Sequence, residues 1–388
     1  MALSKIDVAN MLTGATPVAN GGTALTSGFV NGKDPRPNSK PIIINGDMAV
    51  SQRTTSTTIA NDGLVTDRFK HQISHDGATT VTQESLSSGN AYTNGFANAL
   101  KIDVTTADSS LSSSQRYFIN YAIEGTDIQN IKKGTSSAEK LTLAFWVKAT
   151  KTGTNVVRCY TPDSDRSCSQ SYTISSSDTW EHKVLNFPAD TTGTVIADDN
   201  TSGMIFTWGV AVGSSYTSGT LATTWAANSS ANDYVGQVNN LDNTSNNFHL
   251  TGVQLEVGEF SSTTIPPFQH ETFGDNLARC QRYYFRNNAV DNIPFAAGVC
   301  NGTTNARAVL YFPQTMRAAP SLDKSGAGHF KVQIGSSVHD TTNTAFYYPN
   351  NDQALLYVDV SSGLTDGKGC LVIDDGGGSR YLEGSAEL

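Results

Sequence analysis

The sequence predicts an all-β protein: a jelly-roll-like antiparallel β-sandwich, a smaller C-terminal β domain after it, and an extended N-terminal arm before it. Three observations carry this expectation. Charged residues are only 16 % of the chain and Gly outnumbers Pro 34 to 12, with Ser, Thr and Asn filling the difference. β-Branched Thr packs well on pleated surfaces, and Gly and Asn supply turn geometry, so this composition suits short strands joined by polar turns. Apolar residues then alternate with period two. In KLTLAFWVK, Leu141, Leu143, Phe145 and Val147 fall on one face, with Thr142, Ala144, Trp146 and Lys148 on the other. Finally, clusters such as NDG and SSGN punctuate these runs with no long helical pattern between them, which describes two packed antiparallel sheets.

Residues 1–40 form a low-complexity leader of small residues, with Gly21 and Gly22 adjacent. Such a segment buries too little apolar surface for its own core and reads as a docking arm that orders on a partner. Its last stretch, 34–41, holds Pro35, Pro37 and Pro41 and reads as a linker. Residues 41–270 are the sandwich. A strand is expected to open at 42–44, and others at 99–104, 116–123, 140–148, 180–187, 203–212 and 247–257. In VQLEVG, Val253, Leu255 and Val257 alternate inward and Gly258 ends the strand; Pro266 and Pro267 then stop sheet pairing. Residues 271–388 are the smaller β domain. A short helix opens it over 276–284, with Leu277, Cys280 and Tyr284 on one side, and strands follow at 309–313, 329–334, 354–360 and 370–374.

Charge narrows the partners. A formal net charge of −9 and the absence of any Lys/Arg run disfavour nucleic acid, which needs a basic stripe to displace counterions, and disfavour anionic lipid. No apolar run approaches the roughly 20 residues that span a bilayer, so no membrane insertion is expected. The opening MALSKIDVANMLTG lacks the apolar stretch of a secretory signal. Cys159, Cys168, Cys280, Cys300 and Cys370 make an odd set without the close pairs of a zinc ribbon. In a reducing compartment they are expected free and buried, with Cys159 and Cys168 facing each other across a hairpin as the one candidate pair.

The search for chemistry returns little. GxSxG, HExxH, a Walker loop and an EF-hand are absent, and GFVNGKD at 28–34 has the wrong spacing for a phosphate loop. His71 and His75 sit on a strand-then-turn stretch, which separates them as metal ligands. Asp163, Asp165, Asp374 and Asp375 lie in turns, where Asp supports backbone geometry; a structural calcium is the alternative. Cleaving a glycosidic bond takes two carboxylates held roughly 5–10 Å apart, and no acidic residue here stands in a distinctive setting. No catalytic residue, metal or cofactor is therefore expected. Aromatic rings are the better lead, because sugar rings stack their apolar faces on them while amides and hydroxyls satisfy the sugar hydroxyls. Trp225, in a polar stretch, is the expected exposed ring, with Tyr216, Tyr234 and Tyr160 as companions. Trp146 and Trp208 lie in apolar strands and are expected in the core.

IIINGDMAVSQR at 42–53, TDRF at 66–69, LTLAFWVKA at 141–149, FHLTGVQLEVGEF at 248–260 and IPPFQHETFGDNLARCQRYYF at 265–285 together resemble a recurring module of tailed-bacteriophage tail fibre and minor tail proteins. FPQTMRAAPSL at 312–322 is similar to the strand that follows CQRYY in that family, and SAEL at 385–388 and the leader's GGTALTS are also similar to it. The resemblance implies a carbohydrate-binding-like jelly roll in a virion protein made in the host cytoplasm. It further implies a homotrimer whose residues 1–40 dock on other virion proteins and whose β domains face a host surface glycan. A capsid fibre or decoration protein with a purely structural role is the alternative, and a polysaccharide depolymerase a more distant one. The resemblance supplies no catalytic residues.

Overall fold

The computed structural model describes residues 40–59, 61–289, 293–377 and 380–388, so the expected arm lies outside it but for Lys40. In chain order the first unit comprises β1 (Ser56–Ile59), β2 (Gly63–Leu64), β3 (Lys70–Ser74), β4 (Ala78–Ser85), α1 (Gly89–Thr93), β5 (Asn98–Thr106) and β6 (Arg116–Glu124). It continues with β7 (Leu141–Ala149), β8 (Gly153–Thr161), β9 (Arg166–Ile174), β10 (Glu181–Phe187), β11 (Ser202–Val212), β12 (Ala226–Ala227) and β13 (Asn247–Val257). A six-stranded sheet, β1-β4-β5-β13-β7-β10, packs on a seven-stranded one, β12-β9-β8-β11-β6-β3-β2, with neighbours antiparallel. This is the jelly-roll-like sandwich the alternation predicts.

The core lies between the sheets. Leu143, Phe145 and Val147 of β7 meet Phe206 and Trp208 of β11 and Tyr117, Ile119 and Tyr121 of β6. Phe145 and Trp208 meet edge to face at 5.8 Å. Each large side chain buried this way stabilises the fold by about 1.5–3 kcal/mol. On the opposite face of β7, Thr142 and Ala144 are also buried, because Phe260 and Ile265 fold over Ala144. Cys159 and Cys168 stand opposite each other in the β8–β9 pairing, and all five cysteines are free and buried. Burial pushes both thiols up, Cys168 to about 12, which keeps them as uncharged apolar groups.

The expected strand at 42–44 is not formed; the chain turns there instead. Asn45 and Met48 both adopt left-handed backbone, with φ of 60° and 57°. The Asn45 side chain holds the turn by accepting from the Val50 N–H and donating to the Val50 and Asp67 carbonyls. Apolar runs that look like strands can thus serve as anchors: Ile43 enters the sandwich core and Ile44 a separate cluster with Val50, Cys280 and Tyr283.

The second unit opens with α2 (Phe273–Gln281), capped by the Thr272 hydroxyl accepting from the Asp275 N–H. The helix stops before Tyr284, which begins β14 (Tyr284–Ala289). β14 pairs with β22 (Arg380–Ser385), which also pairs with β17 (Ser321–Lys324). The other strands are β15 (Pro294–Cys300), β16 (Asn305–Tyr311), β18 (Phe330–Ile334), β19 (Ser337–Tyr347), β20 (Gln353–Val360) and β21 (Gly369–Asp374). They close into a barrel in the order β15-β16-β20-β19-β18-β21. Its interior holds Ala306, Leu310, Phe330, Leu356, Val358 and Val372, and closure leaves no free strand edge.

Five of the strings quoted above, at 42–53, 66–69, 265–285, 312–322 and 385–388, meet at the joint between the two units. The Asn45 N–H donates to the Asn276 side chain, and Gln52 donates to Asp67 and to the Tyr284 carbonyl. Arg53 lies over the Tyr284 ring and Arg68 over Tyr283, each at 3.4 Å, and both guanidinium groups reach Glu387. Glu124, fully buried at the end of β6, accepts two bonds from Arg282, at 2.8 and 2.7 Å, and one from the Tyr283 hydroxyl. Arg317 donates to carbonyls of Asn200 and Ala386. Buried charges are tolerated when paired and hydrogen-bonded; Glu124 meets that condition, whereas Arg53 Nη1 and Arg68 Nε are buried without a hydrogen-bond partner and rely on their carboxylate and ring neighbours.

Candidate functional site

The outer face of the seven-stranded sheet stays partly uncovered. Alternation in RYFINYAI sends Tyr117, Ile119 and Tyr121 inward and leaves Asn120 and Ala122 outward. Strand register then aligns side chains distant in sequence: Lys70 opposes Asn120, Asn120 opposes Thr207, and Thr207 opposes Arg158. The neighbouring row runs Ala122, Ile205, Tyr160. Together they floor a groove of about 280 Å³ that also takes in Gln72.

The groove is flanked on two sides. On one side the 213–240 loop packs down: Tyr234 stacks on Phe118 at 4.8 Å, Asp233 pairs with Arg158 at 3.1 Å, and Asn228 accepts from Arg158. On the other, Arg68, Glu387 and Leu388 form the wall. Burial works against the Arg68 charge, yet Glu387 beside it holds its pKa above the ordinary arginine value. The Arg158 guanidinium lies over the Tyr160 ring at 4.3 Å, and the Tyr160 hydroxyl donates to Asp165. Burial first, and then that carboxylate, raise the Tyr160 pKa, so the ring is neutral at physiological pH.

Its hydrogen-bonding is only partly used. The Thr207 hydroxyl donates to Asn120, whose amide donates to Gln72. Lys70, half-buried at the end of this chain of groups, has no ion-pair or hydrogen-bond partner among the described residues. The arrangement offers a planar ring, amides, a hydroxyl and a free ammonium within one depression. It can hold a polyhydroxylated ligand, and it favours one that carries a negative group.

Of the rings singled out from the sequence, Tyr160 lines this groove and the others do not. Tyr234 is 1 % exposed and serves as the packed floor of the loop. Tyr216 meets Phe118 edge to face and accepts from Arg116. Trp225 departs from its expected exposure: it is half-buried against the sandwich core, and its indole N–H donates to the Pro188 carbonyl. Trp208 is in the core as expected, whereas Trp146 lies half-exposed on the outer face of the other sheet. Lys70, Gln72, Asn120 and Thr207 escaped the sequence reading. Asn120, a polar residue inside an apolar strand, was the available signal. Among the described residues no group of His, Cys, Asp and Glu is arranged to hold a metal ion, and no helix is long and apolar enough to cross a membrane.

No family model matches the chain, and no curated protein matches it. Among solved structures it is similar to a protein of Bacteroides thetaiotaomicron assigned a sugar-binding role, at 15 % identity and a TM-score of 0.32, over 56 % of this chain and 100 % of that one. It is also similar to the enzymatically active domain of tailspike protein 4 from bacteriophage CBA120, at 10 % identity and a TM-score of 0.28, over 56 % of this chain but 21 % of that one. A third is the family 11 carbohydrate-binding module of Clostridium thermocellum, solved with a mixed-linked tetrasaccharide, at 12 % identity and a TM-score of 0.25, over 54 % of this chain and 98 % of that one. Likenesses this distant carry no argument about ligand or activity. The jelly-roll-like sandwich itself stands on the sheet topology described above.

Proposed function

We propose that this chain is a structural virion protein of a tailed bacteriophage, a tail fibre subunit that attaches to host surface glycan through the groove on the seven-stranded sheet. One observation carries the glycan part: an uncovered sheet face where Asn120, Thr207 and Gln72 form a hydrogen-bonding row, flanked by the Tyr160 ring and ended by the unpaired Lys70 ammonium. Sugar hydroxyls both donate and accept, and planar amides match them. The ammonium selects for a uronate, sialate or phosphate-bearing sugar. The role is adhesion without cleavage, since Glu387 is the one acidic side chain among the lining residues and it is already paired with Arg53 and Arg68.

The virion assignment rests on the strings at 42–53, 66–69, 265–285 and 312–322. Residues 1–40 are assigned to docking on the particle. The subunit is assigned to a homotrimer, whose copies raise weak single-site affinity through avidity. The barrel offers a surface suited to contact with a second copy: Leu371, Ala297 and Val309 lie side by side across β21, β15 and β16, with Val299 and Tyr311 also exposed.

The test is a glycan array probed with the full chain, followed by titration of the hits. Binding to acidic glycans that weakens in Lys70→Met and Asn120→Ala, with the fold intact by circular dichroism, is the expected result. Binding that ignores both substitutions overturns the assignment of the groove.

A further inference from the structure

A second cleft lies on the opposite sheet, and nothing in the function proposed above uses it. Its floor is a β-bulge in β13. Pairing with β7 slips between Thr251 and Gln254, and Gly252 there takes a left-handed φ of 60°. A side chain at Gly252 would sit 2.7 Å from Phe96 and 2.9 Å from Trp146, so the missing Cβ is what lets those rings converge over the strand. On the β7–β10 flank, Trp146 and His182 are register partners with ring centroids 5.1 Å apart. On the β5 flank, Phe96, Phe268 and His270 pack on one another at 4.8–5.3 Å. The space between the two walls is about 420 Å³.

Two features separate this cleft from an ordinary packed cluster. It is open space bounded by aromatic faces, of a size that takes one or two sugar rings. It also contains polar groups without a partner among the described residues: the imidazoles of His182 and His270 and the hydroxyl of Ser262. Asn94 and Gln254 add amides, each of which gives a hydrogen to a backbone carbonyl. No lining residue is an Asp, Glu, Lys or Arg, in contrast with the Lys70 groove. Burial lowers the His182 pKa, so at neutral pH its ring both stacks and offers one donor and one acceptor.

We propose that this cleft is a second carbohydrate site, specific for a neutral pyranose stacked on Trp146 and hydrogen-bonded by His182, Ser262 and His270. The inference shares the glycan-binding reading of the other groove but stands on different residues and a different ligand class. With sites on both outer faces, one sandwich holds two parts of a branched glycan, or two chains, at once.

Titration of the ¹⁵N-labelled full chain with neutral methyl glycosides (glucose, galactose, mannose, rhamnose and N-acetylglucosamine) tests it through the tryptophan indole signals. The chain has four tryptophans, and Trp146→Phe identifies the relevant peak. The expected result is saturable movement of the Trp146 peak with at least one glycoside, in the millimolar range usual for single sugars, while Trp208 and Trp225 stay fixed. His182→Ala, a change on the sheet surface, is expected to weaken that movement at least fivefold, and Lys70→Met to leave it unchanged. A Trp146 peak that stays still to 100 mM with every glycoside overturns the second site, whatever the array shows for the first. Movement that persists in His182→Ala overturns it equally. Movement lost in Lys70→Met would trace the signal to the other groove and overturn independence.

Discussion

His71 links stability to pH through a sharply defined site. It sits fully buried on β3, its Nδ1 is 2.9 Å from the Tyr117 hydroxyl, and its Nε2 has no partner among the described residues. Burial pushes its pKa down from 6.5 to about 3. Above pH 6.5 the imidazole is neutral in both folded and unfolded chains and contributes no pH dependence. As pH falls below that value the unfolded chain takes up a proton that the folded chain refuses, so stability is lost on acidification, down to about pH 3. Between pH 7.5 and 5.0 this covers about 1.5 pH units at about 1.36 kcal/mol each, or about 2 kcal/mol. Desolvation lowers His75, His182 and His249 as well, so the whole protein will lose more than this. The His71→Phe variant isolates the contribution. It forfeits the Tyr117 bond at every pH, an offset of about 1–3 kcal/mol, but its stability should fall by about 2 kcal/mol less than wild type over the same interval. Urea unfolding followed by tryptophan fluorescence reads the sandwich alone, because all four tryptophans lie in it. Equal losses in the two proteins, within about 0.5 kcal/mol, would refute the assignment.

Other outcomes follow from the same structure. Lys70→Met should weaken binding of acidic glycans roughly tenfold, as expected for one charge-assisted hydrogen bond, and flatten its dependence on salt in calorimetric titrations. Glu124→Ala removes the buried acceptor of Arg282 and Tyr283; the expected loss is about 3 kcal/mol, and scanning calorimetry should resolve sandwich and barrel into separate transitions. Gly252→Ala forces a side chain into left-handed backbone between Phe96 and Trp146, costing about 1–2 kcal/mol in chemical denaturation and moving the Trp146 indole signal. Light scattering should give a trimer with and without residues 1–40; a monomer in both cases would remove the fibre assignment.

Much of the fold was legible because alternation is a local signal. The strand expected at 247–257 is β13 itself, and Leu141, Leu143, Phe145 and Val147 do face the core. The expectation failed where burial depends on a distant segment. Pro188 supplies the acceptor that draws Trp225 inward, and nothing within β7 itself says that Phe260 and Ile265 cover its second face. The same limit hid the polar groove. Lys70, Asn120, Thr207 and Arg158 become a row only through the register of β3, β6, β11 and β8, and no single strand reveals that. Barrel closure is likewise a matter of which edges meet, a relation between strands that the pattern within each one does not contain.

The joint has a mechanical consequence. The segment at 42–53 lies at the joint, where Asn45 is tied to Asn276 and Arg53 to Glu387. A pull transmitted along that segment is therefore shared between the two units: Ile43 and Met48 sit in the sandwich core and the Val253 N–H of β13 donates to the Gly46 carbonyl, while Asn276 and Glu387 hold the same segment to the second unit. Sandwich and barrel hang from a common root. Load on residues 42–53 bears on both cores at once, while the register of β3, β6, β8 and β11, and with it the spacing of the groove side chains, is held by ladders that this segment does not join.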